Sequence, residues 1–408
     1  IRKSDAIRRL AVNPLLLSII ALVHRYRARL PERRVELYAE CVDVLLGHWD
    51  EAKGLAGRLT AAQKRAVLQP VAFELHARRA RELPRPELER LLAAHLPAVG
   101  GQATEAATFL AEVRDRSGLL LEVGPDVFTF SHLTFQEYLA ALHANEREPA
   151  RAAVLENVED RWWQEVALLS AGLGDADPLV EALLARADDA SRILAGQCAL
   201  EAAKLAPELR ARATAELEAV FRRSTDPATL LRAGEVLARA AGTNAAEFFL
   251  LLLEEAEPVR VRAAALALVE MGRADTAAFT ALVQKLADRR AWALASRFMG
   301  EIGPANLLAA LPEAAWEEAA RLLDLALVRV PPGEFTMGSD DYDDEKPIHR
   351  VTLPEYFIGK YPVTNLQYAR FARATGKKHE FPPEEAAHPV VNVSWHGTRA
   401  YAEWVGMR

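Results

Sequence analysis

The chain has 408 residues, enough for two to four domains at roughly 150 residues each. Fifty basic against 57 acidic residues give a formal net charge of −7, which excludes a chain organised around generic nucleic-acid binding. A composition 51% hydrophobic and 26% charged excludes disorder, and two cysteines, Cys41 and Cys198, exclude a disulfide framework or a cysteine-built metal site and point to a reducing, cytoplasmic setting.

Ile1 falls inside a charged helical pattern with no signal-peptide layout, so the chain is expected to be part of a longer one. The longest apolar run, residues 14–23, is about half of the roughly 20 residues that cross a bilayer, and no membrane association is expected. Apolar residues recur at helical spacing through Leu15, Leu16, Ile19, Ile20 and Val23, then through Val35, Tyr38, Val42, Leu45, Leu46 and Trp49, with Pro31 as the break. Residues 1–58 therefore read as a helical domain.

Residues 59–148 read as a second unit. Helical stretches near 61–78 and 104–116 flank a connection at Leu83-Pro84-Arg85-Pro86. Two apolar runs, Leu119 to Val123 and Val127 to Phe130, surround a Gly124-Pro125-Asp126 turn and predict a β-hairpin. A helix follows, with Thr134 and Glu137 at capping-box spacing and Leu133 and Tyr138 as a hydrophobic staple. Helices, a small hairpin and a closing helix make a winged-helix unit.

Residues 149–326 are rich in Ala, Leu, Arg and Glu. Helical segments are predicted at 161–171, 177–186, 191–204, 209–223, 228–241, 245–254, 258–271, 276–287 and 290–299, in irregular repeats of about 30–40 residues. That pattern suits a HEAT-like α-solenoid; the alternative is a generic helical bundle. At residue 327 the pattern turns to strands: Leu327 to Val330, Phe335 to Ser339, His349 to Leu353 and Tyr356 to Ile358. A helix at 364–375 carries a second capping box, Thr364 with Gln367, and Gly376 sits where a C-terminal cap belongs. A Pro-rich loop at 381–389 and a last helix with Tyr401 and Trp404 complete what reads as the beginning of an α+β domain, residues 327–408.

No phosphate-binding loop is present: Gly376-Lys377-Lys378 closes a helix and lacks the hydroxyl that would hold magnesium, so this chain alone is not expected to bind nucleotide or hydrolyse ATP. The acidic run from Asp340 to Glu345 lacks the glycine and the spaced glutamate of a calcium loop and reads as solvated. Histidines are scattered, with no pairing that would make a helical zinc site. His132 stands apart, because it lies between a strand and a helix N-terminus, where anions are favoured. Cys41 and Cys198 lie on helical faces and read as buried and inert.

Phe128-Thr129-Phe130-Ser131-His132-Leu133-Thr134-Phe135-Gln136-Glu137-Tyr138-Leu139-Ala140-Ala141 resembles the winged-helix end of NACHT-type signal-transducing NTPases, the STAND class. Asn13-Pro14-Leu15-Leu16-Leu17 and the helix through Tyr38 resemble the helical domain of the same proteins, and Trp163-Gln164-Glu165-Val166-Ala167-Leu168 resembles the helix that leads into their repeats. The resemblance implies an ADP/ATP switch using magnesium in the full-length protein, with Pro14 near adenine, His132 on the nucleotide phosphates, and the phosphate loop upstream of Ile1. The tail is similar to a second family. Phe335-Thr336-Met337-Gly338-Ser339, Glu345-Lys346-Pro347-Ile348-His349-Arg350-Val351, Pro362-Val363-Thr364-Asn365-Leu366-Gln367-Tyr368 and His388-Pro389-Val390-Val391-Asn392-Val393-Ser394-Trp395 match the start of the formylglycine-generating-enzyme, or sulfatase-modifying-factor, domain. The implied fold is C-type-lectin-like. That family's catalytic cysteines lie in the later part of the domain, and where it often has one in the last helix this chain reads Tyr401-Ala402-Glu403-Trp404.

The combined expectation is a multidomain, mainly α chain: helical domain and winged helix, HEAT-like α-solenoid, then a partial α+β lectin-like domain. It would be the sensor and regulatory portion of a bacterial NACHT protein, its lectin-like domain a non-catalytic head recognising a protein ligand, with homo-oligomerisation on activation. No catalytic or metal-binding residue is assigned. Two alternatives stay open: a formylglycine-generating oxidase fused to a helical regulatory region, and a nucleotide-independent α-solenoid scaffold.

Overall fold

A computed structural model of the chain describes residues 17, 20, 21, 31, 33–48, 58–240, 242–288 and 290–407. Pro14 and most of the apolar run at 15–23 lie outside them. The chain divides into two compact units, Ile1–Leu217 and Glu218–Arg408. Both are mainly helical, with small sheets.

In the first unit, α1 (Arg34–Asp43) buries Val35, Leu37, Tyr38, Cys41 and Val42, the apolar stripe seen in the sequence. Next, α2 (Ala61–Ala77) starts at a capping box in which Thr60 and Gln63 satisfy each other's backbone amides. The Pro84-Arg85-Pro86 stretch, expected to be a plain connection, holds two elements. Strand β1 (Glu82–Pro84) is followed at once by α3 (Arg85–His95), with Pro86 in the first turn, where the missing N–H costs nothing. After α4 (Ala106–Glu112) come β2 (Leu120–Gly124) and β3 (Val127–Phe130), the predicted hairpin. β1 pairs with β3 through Leu83↔Phe128, so the sheet has three strands in the order β1-β3-β2, a winged-helix arrangement.

The next helix, α5 (Leu133–Glu146), corrects one expectation. Its N-cap is His132, whose side chain accepts from the Thr134 N–H; the expected box of Thr134 with Glu137 does not form. Thr134 is already inside the first turn, and Glu137 is buried at 8% exposure. Phe135, Tyr138, Leu139, Ala140 and Ala141 are buried as well, so α5 is the central helix of the unit. Four helices follow: α6 (Glu148–Asn157), α7 (Arg161–Leu173), α8 (Asp177–Leu184) and α9 (Asp189–Glu201). Asp160 and Asp188 cap α7 and α9 through the Trp162 and Ser191 amides. Helix α10 (Pro207–Arg223) begins in this unit.

The second unit continues with α11 (Pro227–Ala240), α12 (Gly242–Leu252), α13 (Pro258–Ala274), α14 (Thr276–Asp288), α15 (Trp292–Ile302), α16 (Pro304–Ala310) and α17 (Trp316–Leu325). Each of the nine helix segments expected between 161 and 299 is present within a few residues; α6, α16 and α17 are additional. An aromatic cluster of Phe221, Phe248 and Phe249, with ring centroids 5.2–5.9 Å apart, fills the core near α12. Two antiparallel pairs follow: β4 (Leu327–Val330) with β7 (Tyr356–Gly359), and β5 (Gly333–Met337) with β6 (His349–Leu353). Then come α18 (Asn365–Ala374), opened by the predicted Thr364–Gln367 box, and α19 (Trp395–Trp404). Gly376, at φ 72, closes α18 in the left-handed conformation a C-terminal cap requires.

Candidate functional site

His132 sits in extended backbone between β3 and α5, half-buried. Its Nδ1 accepts from the Thr134 amide at 3.2 Å. An accepting Nδ1 places the proton of the neutral ring on Nε2, leaving that nitrogen a donor. Burial holds the imidazole below its ordinary pKa, so the ring is neutral near pH 7. The residue thus offers an N–H donor at a helix N-terminus, chemistry that suits an anion. Pro14, the other nucleotide contact implied by resemblance, lies outside the described residues, so the two are not brought together here.

The sequence reading missed a joint between α1 and the helices α7 and α9. Arg33 Nη2 donates to two carbonyls at helix C-terminal ends, Gly172 O at 2.8 Å and Glu201 O at 2.9 Å. One guanidinium therefore sits on the negative ends of two helix dipoles. Arg34 reaches the Glu165 carboxylate at 2.7 Å and that of Glu201 at 3.5 Å. The helices come close enough that a Cβ on Gly172 would lie 2.7 Å from Val35 Cγ1. Gly172→Ala is thus expected to push α1 off α7 and cost about 1–3 kcal/mol, read as lost hydrogen-exchange protection in both helices.

A second contact ties α2 to α7. His76, fully buried, stacks on Trp162 at 4.8 Å and meets the edge of Trp163 at 4.8 Å. Its Nε2–H donates to Trp162 O at 3.1 Å, and Trp162 Nε1 returns a bond to His76 O at 2.9 Å. Burial pushes the His76 pKa down to about 4, so this ring too is neutral. Arg79 pairs with Asp160, and Arg81 lies over the Trp162 ring. Consecutive arginines and a Trp pair read in sequence as solvated charge and ordinary core, so neither joint was distinguishable from its bland counterpart.

The second unit holds one dense polar cluster. Asp324, on α17, accepts from Gln367 Nε2 at 2.6 Å and from the Tyr401 hydroxyl at 2.5 Å, and pairs with Arg370. Burial raises the Asp324 pKa, opposed by Arg370, Tyr401 and Gln367. Arg370 in turn lies 4.7 Å from the Trp404 ring. This cluster docks α18 and α19 on the last helix before the strands. Lys360 Nζ and the Tyr361 hydroxyl add bonds to Ser296 O at 3.1 Å and Met299 O at 2.7 Å. Tyr401, in the last helix, is a structural hydrogen-bond donor to Asp324.

Cys41 and Cys198 are buried, and burial pushes both thiols up, that of Cys41 to about 12. The acidic run from Asp340 to Glu345 is mostly exposed, and among the described residues no group of three His, Cys, Asp or Glu could hold a metal ion. No described helix is long and apolar enough to cross a membrane.

Comparison with known families bears on both ends of the chain. Residues 34–144 match the family model of the winged helix-turn-helix domain C-terminal to NACHT, and residues 312–408 match that of the sulfatase-modifying factor enzyme 1-like domain. The chain joins a NACHT-associated winged helix to an FGE-sulfatase domain. The FGE-sulfatase match takes in α17 and therefore Asp324, upstream of the change to strands at 327. Among curated relatives, the serine/threonine-protein kinase Pkn1 of Chlamydia trachomatis is 34% identical over 105 residues, 20% of this chain and 17% of that protein. The formylglycine-generating enzyme of Streptomyces coelicolor is 31% identical over 133 residues, 20% of this chain and 42% of the enzyme. That of Mycobacterium tuberculosis is 49% identical over 71 residues, 17% of this chain and 24% of the enzyme. The chain thus spans less than half the length of each of these relatives. No solved structure matches it. The FGE-sulfatase match contains no cysteine.

Proposed function

We propose that this chain is the regulatory portion of a nucleotide-switched NACHT protein of the STAND class. The observation that carries the reading is the NACHT-associated winged helix, with His132 capping its central helix as a neutral N–H donor. In this reading His132 contacts the phosphates of ADP, Pro14 lies near adenine, and the magnesium and phosphate loop belong to a NACHT domain elsewhere in the protein. The helices from α6 to α17 form HEAT-like repeats, a reading supported by packing between helices near in sequence, such as α8 on α9 and α13 on α14. The FGE-sulfatase domain is a non-catalytic head for a protein ligand, and ligand binding drives homo-oligomerisation. The setting is cytoplasmic, and defence signalling is the role such a switch would serve. A ligand moves such a switch only through different affinity for its two states.

The test is ADP retention and trigger-dependent assembly of the full-length protein, with two variants of His132. His132→Ala removes both the ring and the cap, at a cost of about 1 kcal/mol in helix stability. His132→Asn keeps a capping side chain and removes the imidazole. Both are expected to release ADP at least tenfold faster. Wild-type retention in His132→Asn would reduce His132 to a helix cap.

The formylglycine-generating relatives favour a second reading, an oxidase that uses copper to convert a substrate cysteine to formylglycine. Its discriminating assay is the appearance of a hydrazide-reactive aldehyde on a cysteine-containing peptide incubated with the full-length protein and copper.

A further inference from the structure

Beside the Asp324 cluster the second unit opens into a cavity of about 290 Å³. Ligand pockets begin near about 300 Å³, so the space suits a small molecule. Val283 and Ala287 of α14, Leu325 of α17 and Val405 after α19 give it an apolar lining. Arg321 of α17 and Arg370 of α18 add two guanidiniums, against one lining carboxylate, Asp324. That carboxylate is already committed: Oδ1 accepts from Gln367 and Tyr401, and Oδ2 accepts from Arg370. The arginines are less so. Arg370 Nε has no partner among the described residues, although a guanidinium carries its N–H donors as a fork shaped for a carboxylate. Asp324 and the Trp404 ring, 4.7 Å away, hold that fork in place. Arg321 reaches only Glu318, one turn back on its own helix, at 3.3 and 3.4 Å. Strong charge-assisted bonds run at roughly 2.7–2.9 Å, and with 49% of the Arg321 side chain exposed the pair holds it weakly.

We propose that this cavity binds the anion of a small apolar carboxylic acid, its carboxylate on Arg321 and Arg370 and its aliphatic body against Val283, Ala287, Leu325 and Val405. A carboxylate matches the planar donors of a guanidinium. An aliphatic body covers the apolar lining, which inorganic phosphate would leave in water. An amine of the same size meets two like charges and is refused. α17, α18 and Val405 fall inside the FGE-sulfatase match, whereas α14 precedes it. A bound acid therefore touches both sides of the border of that domain and braces α14 against it. The site needs neither nucleotide nor a NACHT domain.

The experiment titrates the full chain with hexanoate, with hexylamine and inorganic phosphate as the other probes, and reads binding by saturation-transfer NMR. Hexanoate is expected to bind with a Kd of about 1 mM, the strength open to so small a ligand, and hexylamine not to bind. Arg321→Gln removes an exposed charge and should weaken hexanoate by about tenfold or more. Ala287→Phe fills the cavity without touching a charge and should abolish binding. Hydrogen exchange with and without hexanoate should show α14 and α18 slowing together. Wild-type affinity in Arg321→Gln overturns the site, as does hexylamine binding as tightly as hexanoate. Phosphate displacing hexanoate at equal concentration overturns the apolar acid in favour of a bare anion site. Should Ala287→Phe fail to fold, Arg321→Gln and the exchange pattern decide: hexanoate that slows neither helix is not in the cavity.

Discussion

Asp324→Ala is expected to undock α18 and α19 from α17. The substitution leaves the Arg370 guanidinium buried without its carboxylate and strips Gln367 and Tyr401 of their acceptor. Removing one partner of a buried, hydrogen-bonded ion pair costs roughly 3–5 kcal/mol, because the other charge stays behind. Hydrogen exchange is the right measure, since a chain of two units need not unfold in one step. Protection of α18 and α19 should fall by two to three orders of magnitude, at about 1.4 kcal/mol per tenfold. Asp324→Asn keeps an acceptor for Tyr401 but not the charge and should fall in between. If Asp324→Ala exchanges like the wild type, Arg370 finds its compensation elsewhere and the docking rests on the Phe371, Tyr401 and Trp404 rings.

Arg34→Met is expected to have the next largest effect, about 3 kcal/mol lost from the packing of α1, because Glu165 and Glu201 lose their shared cation. The pair is partly open to water, with 18% of the Arg34 side chain and 27% of the Glu165 side chain exposed, which places the expectation at the low end for buried pairs. The double variant Arg34→Met/Glu165→Gln should recover part of the loss, since one stranded charge is then gone. Additive losses in the double variant would mean that the two side chains do not act on each other.

Much of the local structure was legible because its causes are local. The box of Thr364 with Gln367 involves four consecutive residues and formed as expected. The same spacing at Thr134 and Glu137 misled, because His132 took the cap and Glu137 is buried. Strand β1 has three residues ending in proline, and only its pairing with β3, far along the chain, makes it a strand. Helix α3 hid behind two prolines that read as a break. At the candidate sites, His132 was visible from its place between strand and helix, whereas Arg33 and Arg34 looked like any solvated pair. Asp324 offered a usable signal, a lone acid in Leu322-Leu323-Asp324-Leu325.

The two bonds from Arg33 reach across 139 and 168 residues of chain. At roughly 5–20 residues per second, a ribosome takes about 10–30 s to produce Glu201 after Arg33. During that interval α1 can pack against α2 and α5 but has nothing to seat its leading arginines on. The winged helix is therefore born with one face unfinished, and α1 is secured only when α9 emerges.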